Sequence, residues 1–288
     1  MSATDAGPAL PSYFLCHGGG PWTSMQGPFR EQLRGLEAGL MDVPHQLPRR
    51  PRAVLVVSAH WVTDDFTVST AAAPGMVYDY AGFPPEMYQV RYPALGAPAL
   101  AERAAQLLEG QGWTVRRDAE RGMDHGVFTL LQTMYPEADL PVAMMSLRRS
   151  FDADEHFRAG QALAALREEG VLLIGSGMSC HERGPGIAVP SAGFDAWLRQ
   201  QLLEAPPASR RRALAHWASA PYARSVHPHE DHLLPLMVAA GAAEQEPASC
   251  IYGERLMGRI TVSSYRFGGR KERLRFDDLG TAASGDRP

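Results

Sequence analysis

The chain has 288 residues, 45% of them hydrophobic and 21% charged, proportions that give a globular fold enough apolar surface for a large core. Its net charge of −4 is small and its Lys and Arg residues are scattered, which argues against nucleic acid or an anionic membrane as its partner. No apolar run approaches the roughly 18 residues of a membrane span, and the nearest candidate, Leu233 to Ala243, is interrupted by Pro235 and Gly241.

The first twelve residues, MSATDAGPALPS, lack the basic and apolar regions of a signal peptide. Residues 12–275 read as a single domain, with 1–11 and 276–288 as flexible ends of low apolar content. Short apolar runs bounded by Pro, Gly or Ser predict buried strands at Tyr13–Cys16, Ala53–Ser58, Val142–Leu147 and Val171–Ile174. Phe66–Thr70, Trp113–Arg116 and Arg259–Arg266 alternate in polarity and read as strands nearer a sheet edge. Amphipathic stretches predict helices near 29–40, 98–109, 126–135, 154–168, 193–204 and 230–240. In the fifth, Phe194, Trp197, Leu198 and Leu202 form a stripe suited to packing on a sheet. Strands interleaved with helices give an α/β chain, a three-layer α/β/α sandwich around one sheet. Three cysteines, Cys16, Cys180 and Cys250, cannot build a disulfide framework and suit the cytoplasm.

The histidines carry the chemistry. His17 follows the strand YFLC, His60 follows AVLVVSA, His181 comes a short turn after VLLIGSG, and His125 lies in the loop after WTVR. Ligands of open α/β sheets bind outside the carboxyl ends of strands, where loops converge. Four histidines at four such ends therefore point to one site.

In Cys16-His-Gly-Gly-Gly-Pro-Trp22 the glycines let the backbone approach a ligand or adopt positive φ. A structural turn is the bland alternative. An esterase oxyanion loop would need a G-x-S-x-G nucleophile elbow, which the chain lacks. His60, at the end of the most apolar strand, reads as a buried hydrogen-bonded residue or a metal ligand, and beside His17 the ligand reading prevails. His227-Pro-His-Glu-Asp-His232 packs three histidines and two acids before an apolar run. A helix beginning near Pro228 would put His229 and His232 on one face. A solvated acidic helix start is the alternative, but the density of imidazoles favours a metal. Cys16 and Cys180 read as buried small residues, and His45, His156 and His216 as structural.

HGGGPW at 17–22, SAHW at 58–61, YDYAGFPPEMYQVRYPA at 78–94, DHGVFTLLQTMYP at 124–136, GSGMSCH at 175–181 and HPHEDHLLPLMVAAGAA at 227–243 occur in one order along the chain. Together they resemble the class III extradiol ring-cleavage dioxygenases, in the branch of the 4,5-DOPA extradiol dioxygenases. The resemblance implies a mixed central sheet and cleavage of a catechol (DOPA-like) ring with O₂ at a mononuclear metal, Fe(II) in most members. It implies that His17, His60 and His232 bind the metal, that His125 and His181 are the acid–base histidines, and that the loop at 78–94 forms part of the substrate entrance. It leaves His181 between a base and a fourth ligand, and Glu230 or Asp231 as possible carboxylate ligands in place of His232. Three neutral imidazoles also suit Zn(II). A zinc hydrolase that activates water at the same histidines is thus the second reading, and a non-catalytic metal-binding or interaction protein the third.

Overall fold

The apolar runs make the centre of one sheet, because strands buried on both faces need apolar side chains on both. The computed structural model describes residues 7–269. Its strands are β1 (Ser12–Cys16), β2 (Ala53–Thr63), β3 (Phe66–Ser69), β4 (Val115–Asp118), β5 (Val142–Arg148), β6 (Val171–Gly177), β7 (Ala248–Leu256) and β8 (Ile260–Phe267). They lie in the order β4-β3-β5-β2-β6-β1-β8-β7. The inner strands β5, β2, β6 and β1 are mutually parallel; β8 joins β1 antiparallel and is followed by β7, antiparallel to β8, while the parallel β3–β4 pair joins β5 antiparallel through β3. The sheet is mixed, as expected, and the four carboxyl ends of the inner strands share one rim.

Helices cover both faces. We label α1 (Arg34–Asp42), α2 (Pro98–Glu109), α3 (His125–Met134), α4 (Ala153–Leu163), α5 (Ala188–Arg199), α6 (Pro207–Ala215) and α7 (Leu234–Gly241). Strand β6 shows how the layers are assigned, since alternate strand residues point to opposite faces. The Ser176 hydroxyl faces α3, donating to the Gly126 carbonyl at 2.5 Å. On the other face, a β-carbon on Gly175 would collide with the Pro235 carbonyl of α7, and one on Gly177 with the carbonyl of His232. Helix α7 packs along α4 equally closely: Gly160 and Gly241 each abut the partner helix's backbone. Nothing larger than hydrogen fits at these approaches, so the glycines set the depth at which α7 lies on the sheet. The predicted stripe on α5 packs against β8, with Phe194 and Leu198 buried.

Several expectations shift. Strand β2 runs five residues past Ser58, and β7 was not anticipated, because Gly253, Glu254 and Arg255 hide its alternation. The final helix starts at Leu234, not near 230, because residues 231–233 form a turn. Within the terminus expected to be flexible, Leu10 and Pro11 are buried. Leu10 donates to the Arg167 carbonyl (3.1 Å), and Arg167 Nε donates back to Leu10 (2.6 Å). The remaining termini, 1–6 and 276–288, and the end of the predicted domain at 270–275, lie outside the described residues. Among the described residues no helix is long and apolar enough to cross a membrane.

Candidate active site

His17 stands one residue beyond β1. Its N–H continues the β1–β6 ladder by donating to Gly177 O (3.1 Å), and its carbonyl accepts from the Trp22 indole (2.7 Å). Gly18 then turns the chain at φ +80°, where a β-carbon would strike that indole. His60 lies within β2, at an irregularity where the β2–β5 register shifts between Val57 and Val62. Such bulges re-aim side chains beside functional sites. His125 is the first residue of α3, not a loop residue as expected. His232 sits in the turn before α7, and its carbonyl accepts from Met178 N (3.0 Å) just past β6. His181 is held by its own N–H, which donates to Val226 O (3.1 Å).

All five histidines line one cavity of about 480 Å³. Its wall includes Met25, Phe29, Tyr80 and Phe83, so the loop at 78–94 does border the cavity. His60 Nε2 lies 3.1 Å from His17 Nε2 and 3.3 Å from His232 Nε2. Behind each ring, Nδ1 faces a polar partner. Ser176 has spent its single proton on Gly126 O, so at 3.0 Å it accepts from His17 Nδ1–H. His60 Nδ1 lies 3.3 Å from Asp79 Oδ2. His232 Nδ1 lies 3.0 Å from Asp231 Oδ2 but off the line of a hydrogen bond. The three Nε2 atoms are thereby left to face one another, an arrangement that one cation would resolve. Tetrahedral nitrogen ligands at roughly 2.0–2.1 Å from zinc would be separated by about 3.3 Å.

Two groups of donors lie within 4.8 Å of one another: His17, His60 and His125, and His181, Asp231 and His232. They meet at the His60–His232 contact. His125 Nδ1 donates to Asp79 Oδ1 (2.8 Å), while the His181 ring stacks on His232, centroids 3.5 Å apart and planes 9° apart. Glu230 pairs with Arg224 (2.7 Å) away from these rings.

Burial keeps the imidazoles neutral. It pushes His17 well below its ordinary value, with the neighbouring histidines adding to the effect, and takes His60 to about 4 and His232 to about 3. His181 is lowered by burial too, against the pull of Asp231. Burial raises the Asp79 carboxyl, but the His125 hydrogen bond and the charges of His125 and His60 outweigh it and hold Asp79 at about 2. Neutral imidazoles beside ionised carboxylates are the form that binds a metal.

The other histidines stand apart. His227 is buried, donating from Nε2 to Ser179 O (3.0 Å) between Phe194 and Trp217. His229 is exposed, so the expected shared face with His232 does not form. His156 bridges Arg148 N and Asp152 O (3.1 and 2.7 Å), His216 caps the Arg212 carbonyl, and His45 is exposed. Cys16 and Cys180 are buried outside the cavity wall. Sequence reading missed Asp79 and Asp124. Asp124 accepts from Ser58 (2.8 Å) and Arg121 (2.7 Å) and so ties β2 to the start of α3. Its place before an apolar helix, where Asp is favoured, was the available signal; Asp79 in YDYAGF offered none.

Residues 12–268 match the family described as the catalytic LigB subunit of aromatic ring-opening dioxygenase. The chain is 40% identical over 227 residues to a 4,5-DOPA dioxygenase extradiol of Beta vulgaris, covering 76% of this chain and 84% of that one. It is 35% identical over 227 residues to the protein of the same name from Escherichia coli, covering 76% and 83%. It is also 35% identical over 285 residues to the dioxygenase tasH of Hapsidospora irregularis, covering 90% and 86%. A crystal structure of an uncharacterized Escherichia coli protein superposes with a TM-score of 0.72 at 30% identity, covering 90% of this chain and all of that one. These likenesses set aside the hydrolase and non-catalytic readings, and the chain belongs to the class III, LigB-type family of extradiol ring-cleavage dioxygenases.

Proposed function

We propose that the protein opens the ring of a DOPA-like catechol with O₂ at one metal ion held by His17, His60 and His232. The observation that carries this reading is the convergence of three Nε2 atoms at 3.1 and 3.3 Å, each ring backed at Nδ1 by a polar group. His125, whose donor lies within 4.8 Å of those of His17 and His60, is the rival third ligand; His232 is preferred because its Nε2 faces His60 Nε2 at 3.3 Å, whereas the His125 Nδ1 is engaged by Asp79. When bound, Fe(II) would gather catechol and O₂ at adjacent positions and let electron density pass between them. Zn(II) fits the same donor set but lacks that redox chemistry.

The protein's own groups do the rest. The aromatic wall of Tyr80, Phe83 and Phe29 receives the face of the ring and displaces water from it. His181, neutral at pH 7, takes a proton from a ring hydroxyl, a weak acid that needs a base to bind as its anion. We assign it as base and not as fourth ligand because it lies parallel to His232: lone pairs in parallel ring planes do not converge on a common point. His125, fixed at Nδ1 by Asp79, presents its other nitrogen to the cavity and delivers a proton to oxygen during ring opening.

The test is metal analysis of anaerobically purified protein, followed by oxygen-electrode assays of Fe(II)-reconstituted protein across a catechol panel. O₂ uptake with DOPA or a related catechol, yielding a yellow ring-opened semialdehyde, is expected. Uptake no greater than the metal-only blank with every catechol would overturn the reading.

A further inference from the structure

Asp79 lies outside every motif that ties a histidine to a strand end, yet its two carboxylate oxygens face two different imidazoles. Oδ1 accepts from His125 Nδ1 (2.8 Å) and from the His125 backbone N–H (3.1 Å), one of the free donors at the start of α3. Oδ2 lies 3.3 Å from His60 Nδ1. The rings it joins are stacked obliquely, centroids 4.1 Å apart. The segment bearing Asp79 is pinned on both sides. Val77 N donates to Met123 O and Met123 N to Gly75 O, both at 2.8 Å, while the Tyr78 hydroxyl donates to Val90 O at 2.9 Å. The carboxylate is therefore presented from a fixed backbone.

We infer that Asp79 is the positioning residue that fixes the proton of both His60 and His125 on Nδ1, so that one carboxylate sets the donor nitrogen of a metal ligand and the reactive nitrogen of the acid. This rests on the proposed roles of those two histidines. An ionised carboxylate can only accept, so His125 donates to it from Nδ1. The same anion lies 3.3 Å from His60 Nδ1, off the line of a hydrogen bond, and its charge favours the His60 proton on that nitrogen. Each ring then turns an unprotonated Nε2 toward the cavity. An amide differs by one atom in chemistry and hardly at all in shape. Its oxygen can still accept from one ring, but its NH₂ requires an acceptor, which drives the other ring to the opposite tautomer with a proton on Nε2. At His60 that proton would stand where the ion binds; at His125 it would break the link to the helix start.

The test is Asp79→Asn, with Asp79→Glu as the conservative variant, read three ways. Imidazole nitrogen NMR of the metal-free full-length protein should show His60 and His125 as Nδ1–H tautomers in the wild type, with at least one of them switched in Asp79→Asn. Fe(II) affinity by chelator competition should fall 10- to 100-fold, the usual effect of losing such an outer partner. Catechol turnover should lose kcat with little change in KM, and Asp79→Glu should recover part of both losses. A wild-type spectrum with either ring as the Nε2–H tautomer overturns the inference even if no variant folds. So does Asp79→Asn with unchanged tautomers and Fe(II) affinity within twofold. Failure of the wild type to consume O₂ with any catechol would instead sink the functional roles, leaving the tautomers to report on Asp79 alone.

Discussion

Alanine at His17, His60 or His232 should each strip most bound metal, since a mononuclear site with one of three ligands removed cannot hold its ion. His216→Ala and His45→Ala, whose rings lie outside the cavity, should bind metal normally. His125→Ala and His181→Ala should keep their metal and lose turnover by about 10²–10⁴-fold, the usual contribution of an acid–base group. Metal content by elemental analysis beside kcat separates the two sets; His232→Ala with full occupancy and Asp231→Ala without it would move the third ligand to the carboxylate. The cavity histidines were legible in the sequence because His17, His60 and His181 sit in or shortly beyond apolar strands, His232 in a dense polar cluster and His125 at the head of an apolar helix. Asp79 was not, since its partner His125 is 46 positions away and a lone carboxylate among tyrosines looks like ordinary loop surface.

The elements hold these residues through close backbone approaches. The contact between β6 and the turn before α7 is the one most tied to the site, because the carbonyl lying against Gly177 belongs to His232. Gly177→Ala should cost about 1–3 kcal/mol of stability, as overpacking does, and should weaken metal binding by displacing His232. Gly175→Ala, which presses on Pro235, should cost comparable stability with a smaller loss of metal affinity. Urea midpoints and chelator competition on the two variants check this; equal losses of affinity would mean that the site is not set by that contact. Strand positions and helix faces were readable from apolar spacing. Where α7 begins was not: His229 to His232 suits a helix by composition, but Pro235 stands in the first turn of α7, where proline is tolerated, and the turn before it is tied to Met178. Strand β7 escaped for the complementary reason: an edge strand carries the glycine and charges of a loop.

Across the whole molecule, two buried histidines outside the cavity make folding sensitive to acid. Burial lowers His156 and His227 to about 4, below the ordinary 6.5 of an exposed imidazole. The unfolded chain therefore binds these protons first. Stability should be at its full value above pH 6.5, fall as pH drops from 6.5 toward 4, and level off below that as far as these two groups are concerned. Each could contribute on the order of 3 kcal/mol to the fall. Urea unfolding of metal-free protein at pH 7.5 and 5 measures it, and His156→Gln should show a shallower dependence on pH despite a lower stability at pH 7.5. An unchanged dependence would mean that His156 titrates alike in both states.

The two outer strands of the sheet have a consequence for how the protein behaves among many copies of itself. An open sheet ends in unpaired N–H and C=O groups that can template another chain. Here β4 is four residues long and three of them, Arg116, Arg117 and Asp118, are charged. At the opposite margin β7 is broken by a register shift between Cys250 and Tyr252 and carries Glu254 and Arg255. Brevity, charge and a kink are the devices that stop lateral growth. The sheet that assembles five histidines around one cavity thus carries at both margins features that disfavour pairing with a second copy.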